Sequence, residues 1–320
     1  MSRIFPSLVF LAPIVLLASC ESTSTTKPAD TAPILAPEAV VIPSNEDPSK
    51  RNDRLLRLEW SGDQWWVATQ RQEWDKVAGI EKLIGDYVAQ NFDLIVGDLK
   101  FGSPRHRRAM AFALGFSRRV EAVGPLVDTL KDTYYEVVLH SLLGLYQLVR
   151  VGDTYTMVNG KIVAAPLVVD PEWVLPHLKH PRAEVRSNAA LVLSRIVGPT
   201  TPKGALLVIV TAVDDTDAAT RVHAMAALGA TLDREAFPYL VKGLRDSVEL
   251  VRIRAALELG RIHEKDAVPY LINTLATPDE KLDVKRAAVK SLVELTGEKL
   301  DSIEADAWKP IAVKMGLLKG

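Results

Sequence analysis

The chain has 320 residues, of which 39 are Lys or Arg and 40 are Asp or Glu, and its formal net charge at pH 7 is −1. Hydrophobic residues make up 48% and charged residues 25% of the chain, as in an ordinary globular protein. This balance excludes a chain that is disordered throughout and a strongly basic nucleic-acid-binding protein. The single cysteine excludes an intramolecular disulfide and a zinc site built from several cysteines.

Residues 1–19 are typical of a secretory signal peptide. Arg3 gives a positively charged start, and the apolar run over residues 4–18 is too short to span a bilayer comfortably. The run ends in Leu-Ala-Ser immediately before Cys20, which resembles the lipobox of bacterial lipoproteins. The resemblance implies cleavage before Cys20 and lipidation of its sulfur and its amine, so that acyl chains anchor the protein in a membrane. The alternative is an ordinary signal peptide followed by an unmodified cysteine.

Residues 20–50 are rich in Ser, Thr, Pro and Ala, a composition that cannot bury enough apolar surface to fold. We therefore expect a disordered tether of 20–50 that spans on the order of 30 Å between the lipid and the folded part. Glu21 follows the cysteine. Under the lipobox resemblance, the absence of Asp at this place favours the outer membrane, if the organism has one, within the cell envelope.

Residues 51–89 are predicted to form an N-terminal cap. Four of the six tryptophans lie here, namely Trp60, Trp65, Trp66 and Trp74. The end of a repeat array must be closed by a segment with a polar outer face, and tryptophans can pack against the first repeat. The alternative is that these tryptophans stack on envelope glycans, which would make the protein a glycan-binding protein.

An internal repeat organises residues 90–296. Each of six copies has an apolar helix, a short polar turn and a second helix with a small residue at a fixed place. In the fifth copy the first helix covers 236–244, and the second helix runs from Val251 to Gly260. Repeats of this length predict a solenoid of stacked helix pairs. Residues 151–170 interrupt the array as an insertion, and residues 297–320, with Trp308, are predicted to cap its end.

The second helix of the fifth copy reads Val-Arg-x-x-Ala-Ala-x-x-Leu-Gly from Val251 to Gly260. This pattern resembles HEAT repeats, in particular the bacterial kind found in phycobilin lyases, and the resemblance covers roughly residues 90–296. It implies an all-α fold, namely an α-solenoid superhelix of about six HEAT-like helix pairs, here with one inserted β-hairpin.

Two columns of charged residues recur in the repeats. One is basic and lies eight positions before the small residue, and the other is acidic and lies in the turn, where it can cap the next helix. The HEAT resemblance implies that they form a structural ladder of hydrogen bonds between repeats. The alternative is an anion-binding surface. The ladder residues are Arg107, Arg186, Arg221, Arg252, Asp132, Asp215 and Asp246.

The helical wheel predicts that each second helix exposes a stripe two, six and nine positions after the basic column. In copies three to six this stripe is mixed and polar, so we expect it to bind a protein partner of the envelope. The candidate partner-binding residues are Asn188, Arg195, His223, Arg254, Glu258, Arg261 and Glu294.

In copies one and two the same stripe is apolar and includes Phe116, Val138, Leu142 and Leu145. An apolar patch of this kind is either covered by protein or is a ligand site. The insertion contains Asn159-Gly160 between two alternating runs, the signature of a β-hairpin with a type I′ turn. Because an isolated hairpin is marginal in water, we expect its apolar face, with Tyr155 and Met157, to dock on the solenoid.

No catalytic motif, metal-ligand spacing or cofactor fingerprint emerges from the sequence. The six histidines occupy unrelated repeat positions, so we expect no metal site, no cofactor and no nucleic-acid partner. The leading hypothesis is a lipid-anchored, non-catalytic scaffold that binds protein in the bacterial cell envelope. The alternatives are a lyase-like or accessory enzyme with a small-ligand pocket near the hairpin, and the glycan-binding protein described above.

Overall fold

The computed structural model describes residues 46–319, so the predicted signal peptide, Cys20 and nearly all of the tether lie outside the described residues. The fold is all-α, an α-solenoid of consecutive helix pairs with one inserted hairpin. None of the helices within 46–319 combines the length and the apolar character needed to cross a bilayer. The helices are α1 Pro48–Gln70, α2 Trp74–Phe101, α3 Pro104–Leu114, α4 Val123–Asp128, α5 Tyr135–Val151, α6 Pro171–Val174, α7 Ala183–Ile196, α8 Lys203–Val210, α9 Ala218–Thr231, α10 Phe237–Gly243, α11 Glu249–Arg261, α12 Val268–Ala276, α13 Leu282–Thr296 and α14 Ala305–Lys314.

The chain forms two compact units. The first contains α1 to α4, α5 as far as Gly144, and the hairpin residues 155–163. The second contains residues 145–154 and everything from Ala164 onwards, including α6 to α14. The hairpin strands are β1 Tyr155–Val158 and β2 Lys161–Ala164, which lie within the predicted insertion.

The first unit begins with two long helices. Asp47 accepts a hydrogen bond from the Ser49 amide and Pro48 occupies the first turn, so α1 starts two residues before the predicted end of the tether. Such a cap and a proline at this position favour a helix start. In α2 the backbone leaves helical geometry at Asn91, close to the predicted boundary between cap and array. The cap and the first repeat therefore share one interrupted helix.

A buried ionic cluster joins the two long helices. Asp98 on α2 accepts from Arg51 Nε at 2.6 Å and from Arg54 Nη2 at 2.6 Å, both on α1. Arg54 also holds Glu46 through two hydrogen bonds of 2.7 Å. Only 3% of Arg54 is exposed. A charge buried this deeply is tolerated because it is paired and hydrogen-bonded.

In the second unit the repeats have a constant form. The second helices α7, α9, α11 and α13 each pack against the next. The first helices are short and are extended by single 3₁₀ turns, for example Arg234–Ala236 before α10. On α11 the residues Val251, Ala255 and Leu259 are fully buried, as their common side of the helical wheel predicts.

Small residues on the second helices allow close approach. A Cβ added to Gly229 on α9 would overlap Oε2 of Glu258 on α11 and lie 2.6 Å from its Cβ. A Cβ added to Gly260 would lie 2.7 Å from the Cβ of Ser291, whose hydroxyl donates to the Ala256 carbonyl at 2.8 Å. Each glycine thus makes room for a side chain of the following repeat, which offsets its low helix propensity.

The array ends in a closing segment. Helix α13 terminates at Gly297, which adopts a left-handed conformation with φ of 74°, as glycines after helices commonly do. Helix α14 then packs on α12. Trp308 is completely buried and its Nε1 donates to the Ser302 carbonyl at 2.7 Å. Trp308 therefore covers the apolar end of the second unit.

Candidate functional site

The basic and acidic columns form what we call the arginine ladder, a set of Arg–carboxylate pairs between consecutive repeats. Arg221 shows the geometry: its Nε and Nη2 donate to the two oxygens of Asp246 at 2.7 and 2.9 Å, and its Nη1 donates to the Asp215 carbonyl at 2.8 Å. Bidentate pairs of this kind combine strength with a fixed direction. The pairs are Arg107–Asp132 in the first unit, and Arg186–Asp215, Arg221–Asp246 and Arg252–Glu280 in the second.

Each carboxylate of the ladder also orders the turn in which it lies. Oδ1 of Asp246 accepts the Val248 amide at 2.8 Å, and Oδ1 of Asp215 accepts the Asp217 amide at 2.8 Å. Burial alone would raise the pKa of Asp215 and Asp246, but the hydrogen bonds from Arg186 and Arg221 and from these amides hold it below the ordinary value of 3.8. The pairs of the arginine ladder thus link each repeat to the next and order the turns between them.

We expect Arg221→Met to lower the free energy of unfolding by about 1.5 kcal/mol, because charge-assisted hydrogen bonds are lost while the aliphatic stem remains. The lowered carboxylate pKa means that this contribution is full above the unfolded value of 3.8 and disappears as the pH falls through the folded value. Denaturant titrations at several pH values measure the difference. Arg234→Met is the control, since that side chain is 73% exposed and its loss should change little. An equal loss at pH 7 and pH 2.5 would contradict the assignment.

The predicted partner-binding stripe is only partly exposed. Asn188, His223 and Glu258 are buried, so the prediction that they lie on an open surface is wrong. Their positions two and six residues after the basic column face the neighbouring second helix, as the contact between Glu258 and Gly229 demonstrates. The exposed members lie nine residues after the column, namely Arg195, Arg261 and Glu294, and Arg254 is half-buried. We call the three exposed residues the exposed row.

The buried polar groups beneath the exposed row have few partners. Burial raises the pKa of Glu258, while Arg254 and Arg261 oppose that rise from 3.4 and 3.5 Å. Burial lowers the pKa of His223 to about 3, with a further contribution from Arg254, so this imidazole is neutral at pH 7. Asn188 donates to the Glu184 carbonyl at 2.8 Å, and its oxygen is buried without a hydrogen-bond partner.

The candidate apolar groove is filled by protein. Phe116, Val138, Leu142 and Leu145 are buried, so they do not line an open pocket. In the first unit Trp65 of α1 packs edge-on against Phe116 at 6.0 Å and against Phe112 at 5.5 Å between ring centroids. Aromatic pairs favour this arrangement. The cap therefore covers the first repeat, and the enzymatic alternative loses the pocket that it needs from these side chains.

The tryptophans of the cap differ in their placement. Trp65 is buried, and its Nε1 donates to Glu81 at 3.0 Å. Trp60 and Trp74 are exposed, and Trp66 is intermediate. Trp65 therefore has the structural role that we expected of the cap.

The hairpin does not dock through its apolar face. Tyr155 is half-buried, but Met157 and the neighbouring Ile162 are exposed, so the prediction of a docked face is wrong. The hairpin is held instead by polar contacts of β1 within the first unit. Glu121 accepts the Thr156 hydroxyl at 2.6 Å and the Met157 amide at 3.0 Å. These bonds fix the strand without needing its apolar side chains.

Within residues 46–319, no group of three or more His, Cys, Asp or Glu residues is arranged to hold a metal ion. An open groove of about 750 Å³ lies in the second unit between the turns of copies four and five. Its wall includes the ladder pair Arg221 and Asp246, the ion pair between Lys242 and Asp214, and Tyr270. The charged side chains named here are paired with one another, and the exposed Arg245 also lines the groove.

Comparison with solved structures gives many similar helical-repeat chains. A designed armadillo repeat protein is 18% identical, with 63% of this chain and 98% of that chain covered and a TM-score of 0.47. The HEAT-like repeats protein of the archaeon Thermococcus onnurineus NA1 is 12% identical, with 68% and 94% covered and a TM-score of 0.46. Human deoxyhypusine hydroxylase is 17% identical, with 84% and 99% covered and a TM-score of 0.29. No curated protein matches the chain.

Comparison with protein families gives a direct match of sequence. The family described as HEAT repeats matches residues 171–255 and again residues 238–305. These two stretches contain α6 to α13 and three of the four Arg–carboxylate pairs of the arginine ladder. The helix pairs of the second unit are thus HEAT-like repeats.

Proposed function

We propose that the protein is a membrane-anchored lipoprotein of the bacterial cell envelope that acts as a non-catalytic scaffold and binds a protein partner. The observation that carries the proposal is the exposed row, in which Arg195, Arg261 and Glu294 project from three second helices at the same repeat position. The helices that carry them are packed through buried apolar faces and tied by the arginine ladder. The spacing between these charges is therefore fixed before a partner binds, which reduces the ordering cost of association.

The mechanism would be complementarity of shape and charge. Arg195 stands above the Tyr146 ring at 5.9 Å, and Arg261 lies beside the buried carboxylate of Glu258. Both cations are thereby restrained and still reach solvent. Arginine is enriched at the energetic centres of protein interfaces because its planar guanidinium stacks and pairs with carboxylates. We expect a partner that presents carboxylates to Arg195 and Arg261 and a basic group to Glu294.

Charge reversal on the exposed row tests this proposal. We expect the double variant Arg195→Glu and Arg261→Glu, purified from native membranes in mild detergent, to recover at least tenfold less partner than the unchanged protein, since like charges across an interface are strongly unfavourable. The matched control is Lys203→Glu with Arg234→Glu, which changes the net charge equally at two residues that are each 73% exposed. Equal recovery of a stoichiometric partner with both double variants would contradict the proposed surface.

The lipid anchor rests on Cys20 and its lipobox-like context. We expect Cys20→Ser to move the protein from the membrane pellet to the soluble fraction, or to leave it as an uncleaved precursor of higher mass, because the thioether cannot form. Several acyl chains make attachment stable, so the unchanged protein should stay in the membrane after a wash at high pH. Ser22→Ala is the control and should leave both readouts unchanged. An intact mass without acyl chains would contradict lipidation, and fractionation by density would test the preference for the outer membrane.

A further inference from the structure

The tip of the hairpin in the first unit is an exposed aliphatic surface. Met157, Val158, Ile162 and Val163 are all exposed, although they follow one another closely on β1 and β2. Ile162 is 71% exposed. Isolated exposed apolar residues are common on proteins, but a cluster on one projecting element marks a contact site.

The aliphatic side chains lie on both faces of the hairpin. Side chains alternate along a strand, and the two-residue Asn159-Gly160 turn places Met157 opposite Ile162. These two residues share one face, while Val158 and Val163 share the other. A protein that docks on one face of a hairpin covers only one of these sets. An apolar medium that surrounds the tip covers both.

The charge of the hairpin fits an anionic surface. Residues 154–169 contain no Asp or Glu, and Lys161 beside the turn is their only charged side chain. Glu121 lies beside β1, where its carboxylate accepts the Thr156 hydroxyl and the Met157 amide and pairs with Arg119 at 3.4 Å. Although burial opposes the effect, these two hydrogen bonds lower the pKa of Glu121 to about 2. Because Arg119 balances the Glu121 carboxylate, Lys161 supplies the one uncompensated charge among the apolar side chains of the hairpin.

We infer that the hairpin tip inserts into the interface of a lipid bilayer that contains anionic headgroups. Met157, Val158, Ile162 and Val163 would enter the boundary between headgroups and acyl chains, and the long side chain of Lys161 would place its ammonium among the phosphates. This contact is a second one, separate from the proposed anchor at Cys20. It would fix the orientation of the first unit at the membrane, whereas a lipid anchor alone does not.

A fluorescent probe at the tip tests the inference. In the full chain with Cys20→Ser, the substitution Ile162→Cys provides the only cysteine, which is labelled with an environment-sensitive dye. With vesicles of phosphatidylethanolamine and phosphatidylglycerol we expect a blue shift, increased emission and quenching by lipids that carry a shallow quencher. Because this chain cannot be lipidated at residue 20, the dye response measures tip insertion alone and does not depend on whether the natural protein is lipidated.

The matched control is Leu207→Cys, which labels another exposed aliphatic position, 65% exposed on α8, and should give no such changes. Adding Lys161→Glu to the labelled hairpin should raise the lipid concentration at half-maximal response roughly tenfold, through lost attraction and added repulsion. If the probe at residue 162 stays as water-exposed as the probe at residue 207, the inference is overturned. An unchanged response with Lys161→Glu would overturn the electrostatic part, and capture of the tip by a protein without any lipid response would overturn it entirely.

Discussion

Asp98→Ala is expected to lower the free energy of unfolding by about 3–5 kcal/mol, because it leaves the buried guanidinium of Arg54 without its central partner. Asp98 accepts hydrogen bonds from Arg51 and from two nitrogens of Arg54. Glu46 alone would then have to compensate a charge that is 3% exposed. Because α1 and α2 meet at this cluster, we expect the loss to appear in the first unit. Urea denaturation followed by circular dichroism measures it.

The control for Asp98 lies on the same helix. Asp86 pairs with Lys82 at 2.5 Å, but both side chains are largely exposed, so Asp86→Ala should change the stability by less than about 0.5 kcal/mol. Hydrogen exchange would show whether the loss with Asp98→Ala is confined to α1 and α2. If the two variants were equally stable, the buried cluster would not hold the two helices as described.

Gly229→Ala is expected to cost about 3 kcal/mol, although alanine is the better helix former. The new methyl group would overlap the Glu258 carboxylate and lie 2.6 Å from the Glu258 Cβ. Since Glu258 is buried between α9 and α11, the helices must separate or the carboxylate must leave its two arginines. Overpacking of this kind is among the costly single changes. Thermal denaturation measures the effect.

A double-mutant cycle isolates the steric part of that cost. In the background of Glu258→Ala, the substitution Gly229→Ala should cost clearly less, because the carboxylate that the new methyl group would overlap is absent, although the Cβ of residue 258 remains. Gly97 on α2 is the control, since an added Cβ there meets nothing within 4 Å. Gly97→Ala should stabilise the protein by about 0.5–1 kcal/mol. Additive effects of Gly229→Ala and Glu258→Ala would contradict the packing argument.

The repeated part of the fold was predictable because each copy must pack against the next in the same way and therefore carries the same residue types at the same positions. A basic residue, a turn carboxylate and a small residue recur together, and the Arg221–Asp246 pair lies where those columns meet. The partner of Arg252 was missed, since the sixth turn places Glu280 one position beyond the expected column. The distance along the chain could have identified Glu280, because the ladder carboxylates lie 25–29 residues after their arginines.

The features that the sequence did not predict depend on contacts between elements, which the pattern of a single helix does not show. The helical wheel treated the second helices as having one open stripe, but α9 and α11 each have another second helix on both sides, which buries His223 and Glu258. The cluster around Asp98 joins residues 44 and 47 positions apart, and it links α1 of the predicted cap to the part of α2 that belongs to the first repeat. The hairpin was expected to bury an apolar face because isolated hairpins are weak, yet Glu121 fixes β1 through polar contacts.

Site-specific photocrosslinking in the native cell would show whether the exposed row binds a protein partner. A photoreactive amino acid is placed in turn at Arg195, Arg261 and Glu294, with Leu207 as the control position, and the adducts are identified by mass spectrometry. If the protein is a scaffold, one and the same protein is captured from all three positions of the exposed row and is absent from position 207. Capture of lipid or glycan alone from the exposed row, or equal capture of that protein from position 207, would contradict it.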